Sequence, residues 1–299
     1  MTFVRPLYVL VTGATGKQGG SVVQSLLDFG HRVRGLTRVP ESKKAISLEE
    51  QGVEIVKGDF KKPDTIRKAL EGVDAIFLMG TPFEGGVEEE TDLGITVVDI
   101  AKEVGVKHLV YSSVGSAHKN TSIPHFDSKF KVEEYIRDID IPHTIIRPVF
   151  FMENFFAPWT FPGLKEGRIT APMKPDRKLA MIAVRDIGRF AVHVFENRDK
   201  FLGKSIDIAS DEHTHEEIAR KLSRVIGRKI KFYEQSSDDA KALGEDMVKM
   251  YKWFNEIGYD IDLEELNRNY PTIKWTSFDD WAEDQDWTVL EQPLAPDIS

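Results

Sequence analysis

Gly13, Gly16 and Gly19 stand at Gly-x-x-Gly-x-x-Gly spacing within Gly13-Ala14-Thr15-Gly16-Lys17-Gln18-Gly19. Glycines so placed let the backbone approach an anion with no Cβ in the way. A helix that starts there aims N–H groups and the positive end of its dipole at the same point. The anion this arrangement suits is the pyrophosphate of a dinucleotide, and Gly13, Thr15, Gly16, Lys17, Gln18 and Gly19 are the residues expected to hold it. A Walker-type loop must end in Gly-Lys-Ser/Thr, which Gly16-Lys17-Gln18 does not supply. Three glycines alone are a weak signal. Their context, after the apolar run Leu7–Thr12 and before an apolar helical pattern, is what gives them weight.

The next informative stretch is Gly35-Leu36-Thr37-Arg38, the end of a second strand. An NAD site places an acid here for the ribose 2′-hydroxyl. None is present before Glu41, and Arg38 can instead pair with a 2′-phosphate, with Lys43 and Lys44 adding positive field. The expected cofactor is therefore NADP(H). After the third strand comes Gly58-Asp59-Phe60. Asp59 either accepts from the adenine amino group, with Phe60 packed nearby, or simply shapes a turn.

The elements that must position these residues alternate. Strands are expected at Leu7–Thr12, Arg32–Thr37, Val53–Lys57, Asp74–Met79, Lys107–Ser112 and Thr144–Arg147. Helices are expected at Ser21–Phe29, Glu41–Gln51, Pro63–Leu70, Val87–Val104 and His125–Asp140. Alternation without hairpin signals predicts an α/β chain, a Rossmann-type doubly wound parallel sheet. Past Pro148 the pattern loosens into a Phe-, Pro- and Trp-rich stretch, and a helix near Ile182–Glu196 returns to the first domain. Ser205–Ala209 and Lys229–Tyr233 read as strands, Thr214-x-x-Glu217 as a capping box, and the tail from Ser237 as mostly helical. The expected division is a nucleotide domain over 1–152 and a smaller C-terminal α/β lobe over 153–299. The absence of cysteine among 299 residues excludes disulfides and thiolate chemistry, and a net charge of −9 argues against nucleic acid as a partner. The opening Met1–Pro6 lacks a signal peptide's pattern and Leu7–Val11 is too short to span a bilayer, so a cytoplasmic protein without a membrane partner is expected.

The glycine turn resembles that of the NmrA-like branch of the atypical short-chain dehydrogenases/reductases. So do His125-Phe126-Asp127-Ser128-Lys129 through Tyr135, Ile141-Pro142 with Arg147-Pro148, Phe151-Met152-Glu153-Asn154, and the stretch from Trp253 to Trp281. The family includes NADP-binding redox sensors and a fungal transcriptional co-regulator, and related branches reduce quinones and plant phenolics. The resemblance implies that Lys129 lies at the nicotinamide ribose. It also implies that Phe151 and Asn154 line the nicotinamide end, and that Met79, Gly80 and Thr81 touch the cofactor. Ser112, closing the fifth strand, is expected beside them.

Typical members of the wider superfamily pair a tyrosine with a lysine four residues on. Here the spacing is His125-x-x-x-Lys129, so the lysine is kept and the tyrosine is absent. Tyr135 lies on another helix face, and Tyr111 is expected to point inward. Three readings stay open: His125 as the acid, Lys129 as a donor, or a site that binds cofactor without efficient hydride transfer. The expected function is an NADP(H)-binding redox sensor or regulator; the alternative is an NADPH-dependent reductase of a quinone or other unsaturated carbonyl compound. The aromatic run 150–161 is either a pocket for a flat aromatic or quinone ligand or a core, and a protein partner would suit the sensor reading. Gly80–Glu90 and Gly115–Pro124 are expected to be weakly anchored loops, one or both of which the cofactor orders. His213 and His215, two apart at a helix start, make a poor metal pair.

Overall fold

In the computed structural model, residues 5–236, 241 and 244–291 are described. β1 (Tyr8–Val11) is fully buried and leads through the glycine turn into α1 (Lys17–Asp28). Alternation continues through β2 (Arg32–Thr37), α2 (Lys43–Glu50), β3 (Glu54–Lys57), α3 (Pro63–Leu70) and β4 (Ala75–Met79). It ends with α4 (Pro82–Glu103), β5 (His108–Ser112), α5 (Pro124–Asp138) and β6 (His143–Pro148). The chain then makes β7 (Phe150–Phe151), α6 (Phe161–Lys165), β8 (Arg168–Ala171) and β9 (Lys178–Ile182). Next come α7 (Val184–Glu196), α8 (Arg198–Phe201), β10 (Ser205–Ile208), β11 (Asp211–Thr214), α9 (His215–Ile226) and β12 (Lys231–Glu234). Three short helices follow, Glu245–Glu256, Leu263–Asn269 and Phe278–Glu283.

The seven-stranded sheet has the order β10-β6-β5-β4-β1-β2-β3, every pair parallel. That order reverses beside β1, so the C-terminal ends of β1 and β4 flank the crevice where such sheets take ligands. Leu10, Ile76, Leu78, Leu109, Tyr111 and Ile145 join Ile66 and Leu70 of α3, Val97 and Ala101 of α4 and Val132 and Ile136 of α5 in one core. On α7, a Cβ at Gly188 would fall 2.4 Å from the Ser21 carbonyl oxygen of α1, so only glycine allows these helices to come that close.

The chain divides into two compact units. The first is Met1–Val149 with Val184–Ile208 and Tyr270–Ile273; the second is Phe150–Ala183, Ala209–Asn269 and Lys274–Ser299. The expected boundary fell three residues later and gave only the helix near 182–196 back to the first domain. In the structure β10 returns as well and supplies the seventh strand. The second unit contains a mixed sheet, β11-β9-β7, and a parallel pair, β12-β8. Its strands β8, β9 and β11 were not expected from the Gly- and Pro-broken sequence. The start of the tail at Ser237 lies outside the described residues; its described part contains the three short helices. Among the described residues no helix is long and apolar enough to cross a membrane.

Two loop expectations are corrected. Residues 82–90 are the first part of α4, interrupted at Gly86 (φ 87°, ψ 173°). Gly115–Pro124 is firmly held: the Gly115 N–H donates to the Pro148 carbonyl at 2.9 Å and the Ser116 N–H to Asp207 at 3.1 Å, and Ile123 is fully buried. Beneath it the buried Glu133 receives Arg147 and Arg137, each at 2.6 Å, and Arg147 also reaches His118 at 2.8 Å. Burial works to raise the Glu133 carboxyl, but the Arg147 hydrogen bond and charge hold it below the usual carboxylate range.

Candidate nucleotide site

The three glycines do three different things. Gly13 has φ 61°, a left-handed conformation that sends the chain over β4, and a Cβ there would sit 2.8 Å from Met79 Sδ. Gly19 is buried, and its Cβ would strike the Gly13 carbonyl oxygen at 2.2 Å, so it sets the packing of α1 on β1. Gly16 is exposed, and its Cβ would meet only the Gly13 oxygen, at 3.2 Å. Gly16 is also the N-cap of α1, with no side-chain cap and no acid in the first helical turn. An exposed helix start of this kind, with Thr15 half-buried and Lys17 exposed beside it, fits a pyrophosphate. The turn is braced from β4, where Thr12 Oγ1 accepts from the Met79 N–H at 2.9 Å. Gln18 and Ser112, both expected to face the cofactor, are buried and hydrogen-bonded to each other, which ties α1 to the end of β5.

Arg38 is exposed immediately after β2. Lys61, in the turn between β3 and α3, was not singled out in the sequence. It pairs with Glu89 at 2.6 Å, and that hydrogen bond and charge raise its ammonium pKa while the charge of Arg38 opposes them. Two cations therefore stand close enough at this corner to feel each other. Asp59 shapes its own turn: its Oδ1 accepts from the Lys61 N–H at 3.0 Å, and its N–H donates to Thr65 Oγ1 at 3.0 Å. Phe60 is half-buried against the main core.

Lys129 lies on the first turns of α5, its side chain 12% exposed. Its Nζ donates to Glu90 Oε1 at 2.6 Å and to the Gly80 carbonyl at 3.2 Å. Glu90 was also missed. It closes the run Glu88-Glu89-Glu90, which reads as a solvated acidic face, yet its side chain is 2% exposed. Met79 and Gly80 are half-buried and Thr81 is exposed at the end of β4.

His125 is buried, one turn before Lys129, with its ring edge-on to Phe126 at 4.8 Å. Tyr111 is buried in the core, where burial first, and the charges of Glu90 and Glu133 after it, push its phenol well above the ordinary value. The Tyr135 hydroxyl donates to Asp99 at 2.5 Å.

In the second unit Phe151 is part of β7, and the Asn154 carbonyl accepts from the Ala157 N–H in the turn Met152–Phe156. Of the aromatic run there, Phe155 is core, packed on Phe278 and Trp281 with all three fully buried, whereas Trp159 is 69% exposed. His213 pairs with Asp211 at 2.9 Å, and burial pushes His215 down to about 4. Thr214 and Glu217 close the expected capping box.

A doubly wound parallel sheet with a glycine turn between β1 and α1 defines the Rossmann-type class. The pattern of the NmrA-like family matches residues 7–282, and the chain belongs to that family. An NmrA-like family domain-containing protein of Dictyostelium discoideum is 30% identical over 290 residues, covering 91% of this chain and 96% of the relative. The (4-alkanoyl-5-oxo-2,5-dihydrofuran-3-yl)methyl phosphate reductase of Streptomyces griseus is 32% identical over 236 residues, covering 78% and 79%. The solved structure of NmrA, a negative transcriptional regulator in complex with NADP, superposes with a TM-score of 0.81 at 20% identity, covering 96% of this chain and 98% of that one.

Proposed function

We propose that this chain binds NADP(H) at the β1–α1 turn and acts as a redox sensor or regulator with weak or no hydride transfer. One observation carries the reading: the lysine of the superfamily pair is kept as Lys129, but His125 stands where the tyrosine would be, and Tyr111 is sealed in the core. Gly13, Thr15, Gly16, Lys17 and the start of α1 hold the pyrophosphate. Arg38 meets the 2′-phosphate, where NAD(H) offers only a hydroxyl. Asp59 and Phe60 border the adenine, Met79, Gly80 and Thr81 touch the middle of the cofactor, the buried Gln18–Ser112 pair braces α1 on the end of β5, and Lys129 donates to the nicotinamide ribose. When bound, the reduced nicotinamide supplies a hydride; this chain's residues bind and orient it, with neither Tyr111 nor Tyr135 positioned to deliver the matching proton.

A second reading is supported by the Streptomyces griseus relative, whose name specifies reduction of an unsaturated oxo-dihydrofuran. In it the chain reduces a quinone or other unsaturated carbonyl compound, with Lys129 or His125 touching the substrate. A calorimetric titration with NADPH, run beside an NADPH-oxidation screen against quinones and enones, separates the two. Binding without turnover supports the sensor, binding with turnover the reductase, and no binding removes both.

A further inference from the structure

The environment of Lys129 is built by α4 as much as by its own helix. Glu90 follows the Gly86 break by one helical turn, and both of its carboxylate oxygens are occupied. Oε1 accepts from Lys129 at 2.6 Å and Oε2 from Ser128 Oγ at 2.8 Å. The approach is fixed from three sides. A Cβ on Gly80 would lie 3.3 Å from Glu90 Oε1. A Cβ on Gly94 would lie 3.0 Å from Val132 Cγ2, which shows how closely α4 and α5 pack. Thr91 Oγ1 bridges the two helices to the Ser128 carbonyl at 3.3 Å. With its side chain 2% exposed, Glu90 is turned away from solvent, and whatever it does for a site it does through Lys129. An ammonium has three donors. Glu90 and the Gly80 carbonyl take two, which leaves one, in a direction set by the other two.

We infer that Glu90 is a positioning residue: it holds the Lys129 ammonium against the Gly80 carbonyl at the end of β4, so that its one remaining N–H meets a ribose hydroxyl of the cofactor. The inference rests on the NADP(H)-binding reading above. It also gives the run Glu88-Glu89-Glu90 a division of labour, with Glu89 engaged by Lys61 and Glu90 by Lys129.

The test is a double-mutant cycle read as NADPH affinity by calorimetry, with thermal melts confirming that each variant is folded. Lys129→Ala is expected to weaken binding ~10-fold or more, the loss of a charge-assisted hydrogen bond. Glu90→Ala is expected to weaken it ~5-fold by freeing Lys129 to other rotamers, but to cost no affinity in the Lys129→Ala background, where there is no ammonium left to position. Glu90→Gln keeps the shape and an acceptor for Nζ and is expected to restore most of the loss. It also carries the same cycle if Glu90→Ala does not fold. Equal losses from the Glu90 change in both backgrounds would show general support of the fold and overturn the inference. So would wild-type affinity in both Glu90 variants beside a weakened Lys129→Ala. Lys129→Ala at wild-type affinity would remove the placement of Lys129 at the cofactor, and the inference with it.

Discussion

The glycine turn and the Lys129 corner sit at the ends of two strands of one sheet, and they are made of different material. The turn is backbone: Gly13 bends the chain, Gly19 lets α1 sit on β1, and Gly16 leaves open the space in front of the helix start. The Lys129 corner is side-chain charge: an ammonium, a buried carboxylate and a hydroxyl from two helices, closed on one carbonyl. A backbone site is specified by what is missing and tolerates almost no addition. A side-chain site is specified by partners and can be retuned by a change in either of them.

The largest effect is expected where added atoms meet fixed backbone. Gly19→Ala places its methyl carbon 2.2 Å from the Gly13 oxygen, and α1 must move off β1. A loss of about 3 kcal/mol or more in urea unfolding is expected, and a stability within experimental error of the parent would mean the turn is softer than described. Gly16→Val meets only the Gly13 carbonyl oxygen, 3.2 Å from its Cβ, a contact that a small shift relieves, so the variant is expected to fold while NADPH affinity falls by roughly 100-fold or more, about 2.7 kcal/mol. Unchanged affinity in a folded variant places the pyrophosphate elsewhere.

Next comes Arg38→Ala, a side-chain change at the same nucleotide. It is expected to remove about 1.5–3 kcal/mol of NADPH affinity and to leave NADH nearly untouched. Equal weakening of both cofactors would take Arg38 away from the 2′-phosphate. pH acts differently, on the stability of the fold rather than on either region. Burial lowers His108 from 6.5 to about 3 and His215 to about 4, so the unfolded chain takes up these protons first. Their contribution is whole above pH 6.5 and is lost as pH falls toward these lowered values, by up to about 1.4 kcal/mol per pH unit for each. Unfolding free energies at pH 7, 5.5 and 4.5 should show the slope. His108→Gln, which keeps an amide for Thr144, should flatten it; the parent's slope in that variant would discount His108.

The contrast also explains what could be read from the sequence. The glycine turn, β1 to β6 and the capping box at Thr214 depend on signals within a few residues, and the structure places them within a residue or a few of expectation. α1 starts at Lys17 rather than Ser21 because its first turn contains the glycines themselves. Glu90 could not be read: its partner lies 39 residues away, and three consecutive glutamates look alike until α4 turns one of them inward. Lys61 was hidden the same way, because its neighbours Glu89 and Arg38 come from other crossovers. β8, β9 and β11 are four or five residues long and owe their form to pairing with distant strands, which leaves little local periodicity. The loop Gly115–Pro124 looked unanchored because its anchors, Asp207 and Arg147, come from β10 and β6.

The close fit of Gly188 on α1 has a consequence in time rather than in space. The first unit needs α7 to pack on α1 at Ser21 and Ser25 and β10 to pair with β6, and neither exists until the chain has been synthesised past residue 208. A nascent chain of 149 residues therefore holds six of the seven strands with one helical face uncovered and one sheet edge unpaired. At ~5–20 residues per second that exposure lasts a few seconds on every ribosome. A fragment cut at residue 149 would hold it indefinitely, with an uncovered helix face and an open strand edge offered to other chains.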